Sequence, residues 1–353
     1  MARTSLPSVH RNSAHAVAGY AGLAVIALGA ALLVPLAVLP FYPHETRLAP
    51  AFIFPGVCAM LIGYLVYFFG ARDAAAFTLS RAEAAGVTVI IWASGIVVFA
   101  TPLVLSGELT VPQAIFEATS GITTTGLSVV DVASCPKIVL MHRGMMHYMG
   151  GVGLILVLTC IVSDSHGLKM YNAEGHTERL LSSTAGSARM VLVLYTGIIL
   201  IGAIAYVIAG MPIFDAINIS ISAVSTGGFA VRPDSLASYG SFAIELITII
   251  LMMAGATNFL LNFMLLQGRF RAFVRHAETG AFLGIIIAAT AVVAALLFAG
   301  GMEQTVPEAL RVSLFQTVSI MTSTGLQTIP DFGTLIPSIL YVLVFLMIVG
   351  GEA

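Results

Sequence analysis

Apolar positions along this chain fall in long, predominantly apolar blocks, not in the alternation of a half-buried strand or the one-sided period of a water-facing helix. Eight stretches, at approximately residues 16–40, 50–70, 84–105, 143–163, 190–210, 240–265, 280–300 and 334–351, come close to the ~20 apolar residues that carry a helix across a bilayer. The pattern predicts eight spans. The first follows Arg3 and Arg11 as a signal peptide would, but its apolar run outlasts an h-region and lacks a clear small-residue cleavage site. It reads as a spanning helix.

Composition agrees with this reading. Only 9% of the 353 residues are charged and 58% are hydrophobic, against roughly 25% charged in a soluble domain. So few charges cannot cover a water-facing surface, which places the chain among all-α polytopic membrane proteins. Charge also orients the spans. With the N-terminus on the cytoplasmic side, ten basic residues, Arg269, Arg271 and Arg275 among them, fall inside. Five (Arg47, Lys137, Arg143, Arg232 and Arg311) fall outside. Basic residues favour the cytoplasmic side, so this bias predicts a cytoplasmic N-terminus. A net charge of -2 gives no reason to expect a nucleic-acid partner.

Three segments between spans are neither ordinary loops nor long enough to cross. Read without gaps they are AIFEATSGITTTGL (114–127), AINISISAVSTGGF (216–229) and SLFQTVSIMTSTGL (313–326). Each follows a span that exits outside and precedes one that returns. The key glycines Gly126, Gly228 and Gly325 are 102 and 97 residues apart. That period fits a whole membrane module of span, re-entrant half-helix, Thr/Ser-rich strand and span. The fold expected is about eight spans plus three re-entrant half-helices.

The residue types suit ion coordination. Non-helical backbone survives at membrane depth only inside protein or along a water-filled path. Glycine reaches the φ > 0 conformations that aim successive carbonyls one way, and small Thr and Ser side chains let several strands approach one axis. A ring of carbonyls can replace the hydration shell of a monovalent cation, and the half-helix C-terminus adds a partial negative charge. The candidate filter is Thr123, Thr124, Thr125, Gly126 and Leu127, with Ser225, Thr226, Gly227, Gly228 and Phe229, and Thr322, Ser323, Thr324, Gly325 and Leu326. An aspartate trails each strand: Asp131, Asp234 and Asp331. These carboxylates could enrich cations in an outer vestibule, or they could be ordinary turn residues; the sequence leaves both open.

The three loops resemble the Trk/Ktr/HKT superfamily of potassium transporters, and its bacterial Trk membrane subunit most closely. The resemblance is carried by Phe116 to Gly126, Arg143, Gly150-Gly151-Val152-Gly153, Ser225 to Phe229, Met253 to Phe259, Thr322 to Leu326 and Gly350-Gly351. It implies potassium uptake as the activity, with potassium as substrate and no cofactor bound by this chain. Glycine at the signature position of all three strands fits the potassium-selective pattern. It also implies a bacterial cytoplasmic membrane, a homodimer and a cytoplasmic nucleotide-binding regulatory subunit. The implied domains are an accessory helix pair (1–82), pore module one (83–164), a cytoplasmic loop (165–189), pore module two (190–266) and pore module three (267–353). Such proteins have a fourth module, absent here, so truncation is expected, with the remainder encoded downstream or supplied by another chain. The alternatives are a sodium- or proton-coupled cation transporter, which would predict inverted repeats, and a non-conducting subunit.

Other residues invite a role. Glu117, in the first half-helix, is expected to make a structural hydrogen bond to filter backbone. Asn258 and Asn262, four apart, would share one helix face as interhelical glue or cavity lining. Gly150, Gly151 and Gly153 read as a hinge or as close packing. His142 and His147 lack a third ligand, and Cys58, Cys135 and Cys160 form no pair, so neither a transition-metal site nor a disulfide is expected. The polar stretch 164–189 reads as a solvated loop. No Walker A, HExxH or GxSxG motif is present, which leaves an enzyme without support.

Overall fold

The computed structural model describes residues 8–70, 81–153, 184–257, 259–268, 277–303 and 305–350. Among them all regular structure is helical. The chain divides into two compact units, one made of residues up to Ile122 with Cys135–Val193, the other of Thr123–Ser134 with Leu194–Ala353.

The first unit contains α1 (Ser8–Ala31), α2 (Ala49–Gly70), α3 (Arg81–Leu105), α4 (Val111–Ile122) and α5 (Lys137–Val152). Glycines spaced seven apart let α1 and α2 meet backbone to backbone. A side chain at Gly22 would collide with the Gly63 carbonyl, and one at Gly29 with the Gly56 carbonyl. Close approach over small residues is how helices associate without a hydrophobic drive between them. α3 packs on both, α4 packs on α3, and α5 packs on α4. Buried Glu45, between α1 and α2, accepts hydrogen bonds from the Lys137 and Ile138 N–H groups, each at 2.8 Å. That carboxylate satisfies orphan donors at the start of α5 and complements its dipole.

The second unit contains the larger part of α6 (Thr184–Ile208), then α7 (Ile213–Val224), α8 (Phe242–Ala256), α9 (Phe259–Leu266), α10 (Ala277–Ala299), α11 (Val306–Met321) and α12 (Pro337–Gly350). α7 packs on α8, α11 on α8, α10 and α12. The Ser220 hydroxyl donates to the Ile199 carbonyl at 2.7 Å, and Tyr206 and Thr248 hydroxyls meet at 2.7 Å, tying α6 to α7 and α8. Polar groups in an apolar surrounding need such partners.

Each predicted apolar block contains a helix, and each half-helix lies where the repeat placed it. Among the described residues five helices, Val17–Val38, Pro43–Gly70, Ala82–Leu105, Ala188–Ile208 and Thr279–Ala299, are long and apolar enough to cross a membrane. Among the described residues the returning helices α5, α8 and α12 have 16, 15 and 14 residues, and residues 154–163 of the fourth block lie outside the described residues. The block at 240–265 is not one helix. α8 stops at Ala256, Thr257 is extended at φ -90° and ψ 140°, and α9 starts at Phe259.

One expectation is corrected here. Arg143, counted among the outside charges at the start of a span, lies buried within α5, because α5 begins at Lys137 and a partner carboxylate waits on α4. The Asn262 amide donates to the Ala254 and Thr257 carbonyls at 2.7 and 3.2 Å, capping the end of α8. Asn258 itself, Cys160, Arg269, Arg271, Arg275 and most of the 164–189 stretch lie outside the described residues.

Candidate cation filter

The half-helices start with proline and capping chemistry. Pro112 and Pro307 occupy first-turn positions of α4 and α11, and Pro212 precedes α7. At these positions a missing N–H costs nothing. Thr305 accepts from the Glu308 N–H at 3.3 Å while its hydroxyl meets the Glu308 carboxylate at 2.8 Å. The Gln113 side-chain oxygen accepts from both the Thr110 N–H and the Thr110 hydroxyl, at 3.0 and 2.7 Å.

Their C-termini carry the informative geometry. After α7, Ser225 is the cap residue; the Thr226 N–H bonds to Ala223 at 3.3 Å and the Gly227 N–H to Ser222 at 2.9 Å. After α11, Thr322 is the cap; Ser323 bonds back to Ile320 at 3.0 Å and Thr324 to Ser319 at 2.9 Å. Both are Schellman motifs, which place the residue after the cap in the left-handed region, normally a glycine. Here it is Thr226 at φ 50° and Ser323 at φ 57°, and Thr124 stands in the matching position of the first strand at φ 53°. Two residues on, Gly126, Gly228 and Gly325 have φ 81°, 81° and 80°. One backbone course therefore recurs three times. A β-branched residue held left-handed costs about 1–2 kcal/mol.

The strands interlock. A methyl group at Gly126 would overlap the Gly227 carbonyl, and one at Gly228 the Thr324 carbonyl. Nothing among the described residues stands within 4 Å of the same position on Gly325. Behind the strands, Gly255 of α8 abuts the Val224 carbonyl that ends α7, and Gly350 of α12 abuts the Met321 carbonyl that ends α11. Small residues in the returning helices thus seat the half-helix ends directly.

A cavity of about 490 Å³ runs along the three strands. Ten of the fifteen candidate residues line it: Thr123, Thr124, Thr125, Gly126, Leu127, Thr226, Gly228, Ser323, Thr324 and Gly325. Ser225, Phe229, Thr322 and Leu326 are buried behind it, and the Gly227 carbonyl faces Gly126. Leu127 is 61% exposed while its counterparts Phe229 and Leu326 are covered. Ser319, Ile320 and Met347 also line the cavity, though the sequence had not marked them. The Ser319 hydroxyl donates to the Leu326 carbonyl, closing α11 onto its own strand. A serine six residues before each signature glycine (Ser120, Ser222, Ser319) was the available clue.

The trailing aspartates are exposed. Asp131 accepts from the Ala133 N–H at 3.2 Å and the Ser134 hydroxyl at 2.8 Å, and Asp331 from the Gly333 N–H at 2.7 Å. Those are turn bonds. Asp234 precedes a 3-10 turn, Ser235–Tyr239. There the Ser235 hydroxyl accepts from the Gln327 N–H at 3.2 Å and the Leu236 N–H donates to the Gln327 carbonyl at 3.0 Å. The segments that follow strands two and three are thereby tied together.

Ion pairs that the sequence did not disclose hold each half-helix. On α4, Glu117 meets Arg143 of α5 at 2.7 Å, with side chains 0% and 3% exposed. On α7, Asp215 accepts from Arg232 at 3.0 Å and from the Tyr239 hydroxyl at 2.7 Å, and Arg232 lies over the Tyr239 ring. Burial, and then the Asp215 carboxylate, push the Tyr239 phenol above its ordinary pKa, so it stays a donor. On α11, Arg311 grips Glu245 of α8 with two bonds, 2.6 and 2.8 Å. His142 bonds the Phe99 carbonyl at 2.8 Å between the rings of Phe52 and Phe99. No group of three or more His, Cys, Asp or Glu residues suited to a metal is found among the described residues, and Cys58 and Cys135 are free thiols.

Comparison with known proteins joins this geometry to a family. The model of the cation transport protein family TrkH matches residues 71–353. An uncharacterized cation transporter of Methanocaldococcus jannaschii is 29% identical over 334 residues, 92% of this chain and 65% of the relative. The Trk system potassium uptake protein TrkH of Salmonella typhimurium is 28% identical over 323 residues, 89% of this chain and 66% of the relative. The chain thus spans a little under two thirds of the length of these curated relatives. The crystal structure of the potassium transporter TrkH from Vibrio parahaemolyticus superposes with a TM-score of 0.82 at 26% identity, covering 94% of this chain and 69% of that one. The polytopic all-α fold and the resemblance read from the three loops both agree with these matches.

Proposed function

We propose that this chain, which belongs to the TrkH family of cation transport proteins, takes up potassium across a membrane through a filter built from its three Thr/Ser-Gly strands. The observation that carries the reading is the threefold recurrence of one backbone course, left-handed at Thr124, Thr226 and Ser323 and again at the three glycines, along a shared cavity. Such alternation turns successive carbonyls the same way, and a ring of them replaces the hydration shell of a bare cation. The half-helix C-termini add partial negative charge at the strands' base.

In this reading Thr123 to Leu127, Ser225 to Phe229 and Thr322 to Leu326 form the filter, and Asp131, Asp234 and Asp331 stand in its outer mouth. Residues 1–82 form an accessory pair, 83–164, 190–266 and 267–353 form pore modules, and 165–189 form a cytoplasmic connection whose last residues, from Thr184, already belong to α6. Gly126 interlocks with Gly227 and Gly228 with Thr324, whereas among the described residues nothing meets the same position on Gly325. A fourth strand, from this gene or another chain, would supply a carbonyl there. The membrane is a bacterial cytoplasmic one with the N-terminus inside. A homodimer and a nucleotide-binding regulatory partner follow from the same family reading. The relatives named for potassium uptake and the charge bias of the loops support these assignments.

The test is uptake of radioactive rubidium, a potassium surrogate, by a bacterium lacking its own potassium uptake systems and expressing the intact gene. Saturable uptake that rescues growth at low potassium is expected. A membrane-inserted protein that gives neither uptake nor rescue would overturn the proposal.

A further inference from the structure

Two of the three strands carry a contact that the third cannot make. In strand one the Thr123 and Thr125 hydroxyls meet at 2.8 Å, and in strand three the Thr322 and Thr324 hydroxyls do so at the same distance. Each pair bridges the left-handed residue between its members, Thr124 or Ser323. In strand two the corresponding residues are Ser225 and Gly227, and glycine has no hydroxyl to offer.

The direction of the bond is fixed in strand three. The Thr322 hydroxyl donates to the Val318 carbonyl at 2.8 Å, so its oxygen must accept from Thr324. Thr324 is thus tethered through Thr322 to the last turn of α11. Its carbonyl is the one that seats against Gly228 of the neighbouring strand. In strand two the Ser225 hydroxyl reaches the Ser222 carbonyl at 3.2 Å, and the chain of bonds stops there.

We propose that the hydroxyl pairs Thr123–Thr125 and Thr322–Thr324 are positioning elements that hold the strained residue between them and so set cation discrimination, with strand two the compliant member. The inference rests on the potassium-filter reading of these strands. A sodium ion is smaller than potassium, so the strands must close inward to dehydrate it fully. A bridge across the middle of a strand opposes that closure, while the left-handed residue, strained as it is, would otherwise relax.

The test measures rubidium uptake against rising sodium in the uptake-deficient bacterium, using the protein from its intact gene and normalising to the amount in the membrane. Thr125→Val and Thr324→Val keep the side-chain shape and remove the hydroxyl. Each is expected to lower discrimination about five- to tenfold, the scale of one lost hydrogen bond. Thr125→Ser and Thr324→Ser should recover most of it, and Ser225→Ala should cost at least threefold less than either valine variant. Should the valine variants fail to accumulate, Thr125→Cys and Thr324→Cys, which keep the volume with a weaker donor, are expected to show the same loss. Wild-type discrimination in the valine or cysteine variants, or an equal loss in Ser225→Ala, would overturn the inference. A wild-type protein that does not prefer rubidium to sodium would instead remove the potassium reading, and this inference with it.

Discussion

Arg143 Nε donates to Glu117 Oε1 at 2.7 Å, with both side chains closed to solvent. Removing both charges from such a place is often neutral, while removing one strands the other in a medium that cannot solvate it. Arg143→Met alone is expected to lower the stability of the detergent-solubilised protein by about 3–5 kcal/mol. The double variant Arg143→Met, Glu117→Leu should recover a large part of that loss. Melting curves of the three proteins check this, and a double variant no better than the single one would contradict it.

The glycine interlocks make a graded prediction. Alanine at Gly126 or Gly228 brings a methyl group into a neighbouring carbonyl as well as an unfavourable φ, whereas at Gly325 the described residues impose only the φ. Gly126→Ala and Gly228→Ala should abolish rubidium uptake. If a fourth strand completes the ring, Gly325→Ala should be equally damaging; if three strands act alone, it should retain measurable uptake.

Thr226 is held at φ 50°, which a glycine adopts freely. Thr226→Gly should therefore raise thermal stability, by up to about 1 kcal/mol after the entropy of a more flexible unfolded chain is counted. A fall in melting temperature would show that the side chain contributes more than its strain costs.

Asn262 caps the end of α8 through two carbonyls. Asn262→Leu leaves those acceptors without their donors in an apolar setting and should cost about 1–3 kcal/mol. Asn262→Gln, longer but still a donor, should cost less, as thermal unfolding of both variants would measure.

Much of this molecule was legible in the chain because its two strongest signals are local. Apolar blocks of span length located the helices, and three ungapped strings located the half-helices and set the register in which Thr124, Thr226 and Ser323 coincide. What was hidden depended on partners distant in sequence or on backbone angles. Arg143 reads as one more outside charge until Glu117, 26 residues earlier, is seen beside it. Glu45 caps a helix that begins 92 residues later, and no local pattern announces that. The break at Thr257 falls inside an apolar block of span length and is capped by Asn262. Threonine in a left-handed cap runs against the glycine preference of the motif, so propensity pointed away from it. The aspartates carried two readings from the start; their turn bonds explain two of them without removing the vestibule role from test.

The most direct measurement is anomalous diffraction from crystals of the protein grown in potassium and soaked in rubidium. Rubidium peaks are expected on the axis of the cavity, ringed by backbone oxygens of the strands at Thr124 to Gly126, Thr226 to Gly228 and Ser323 to Gly325, and displaced by potassium but not by equal sodium. An ordered filter with no peak along these strands, or one that sodium fills equally well, would contradict it.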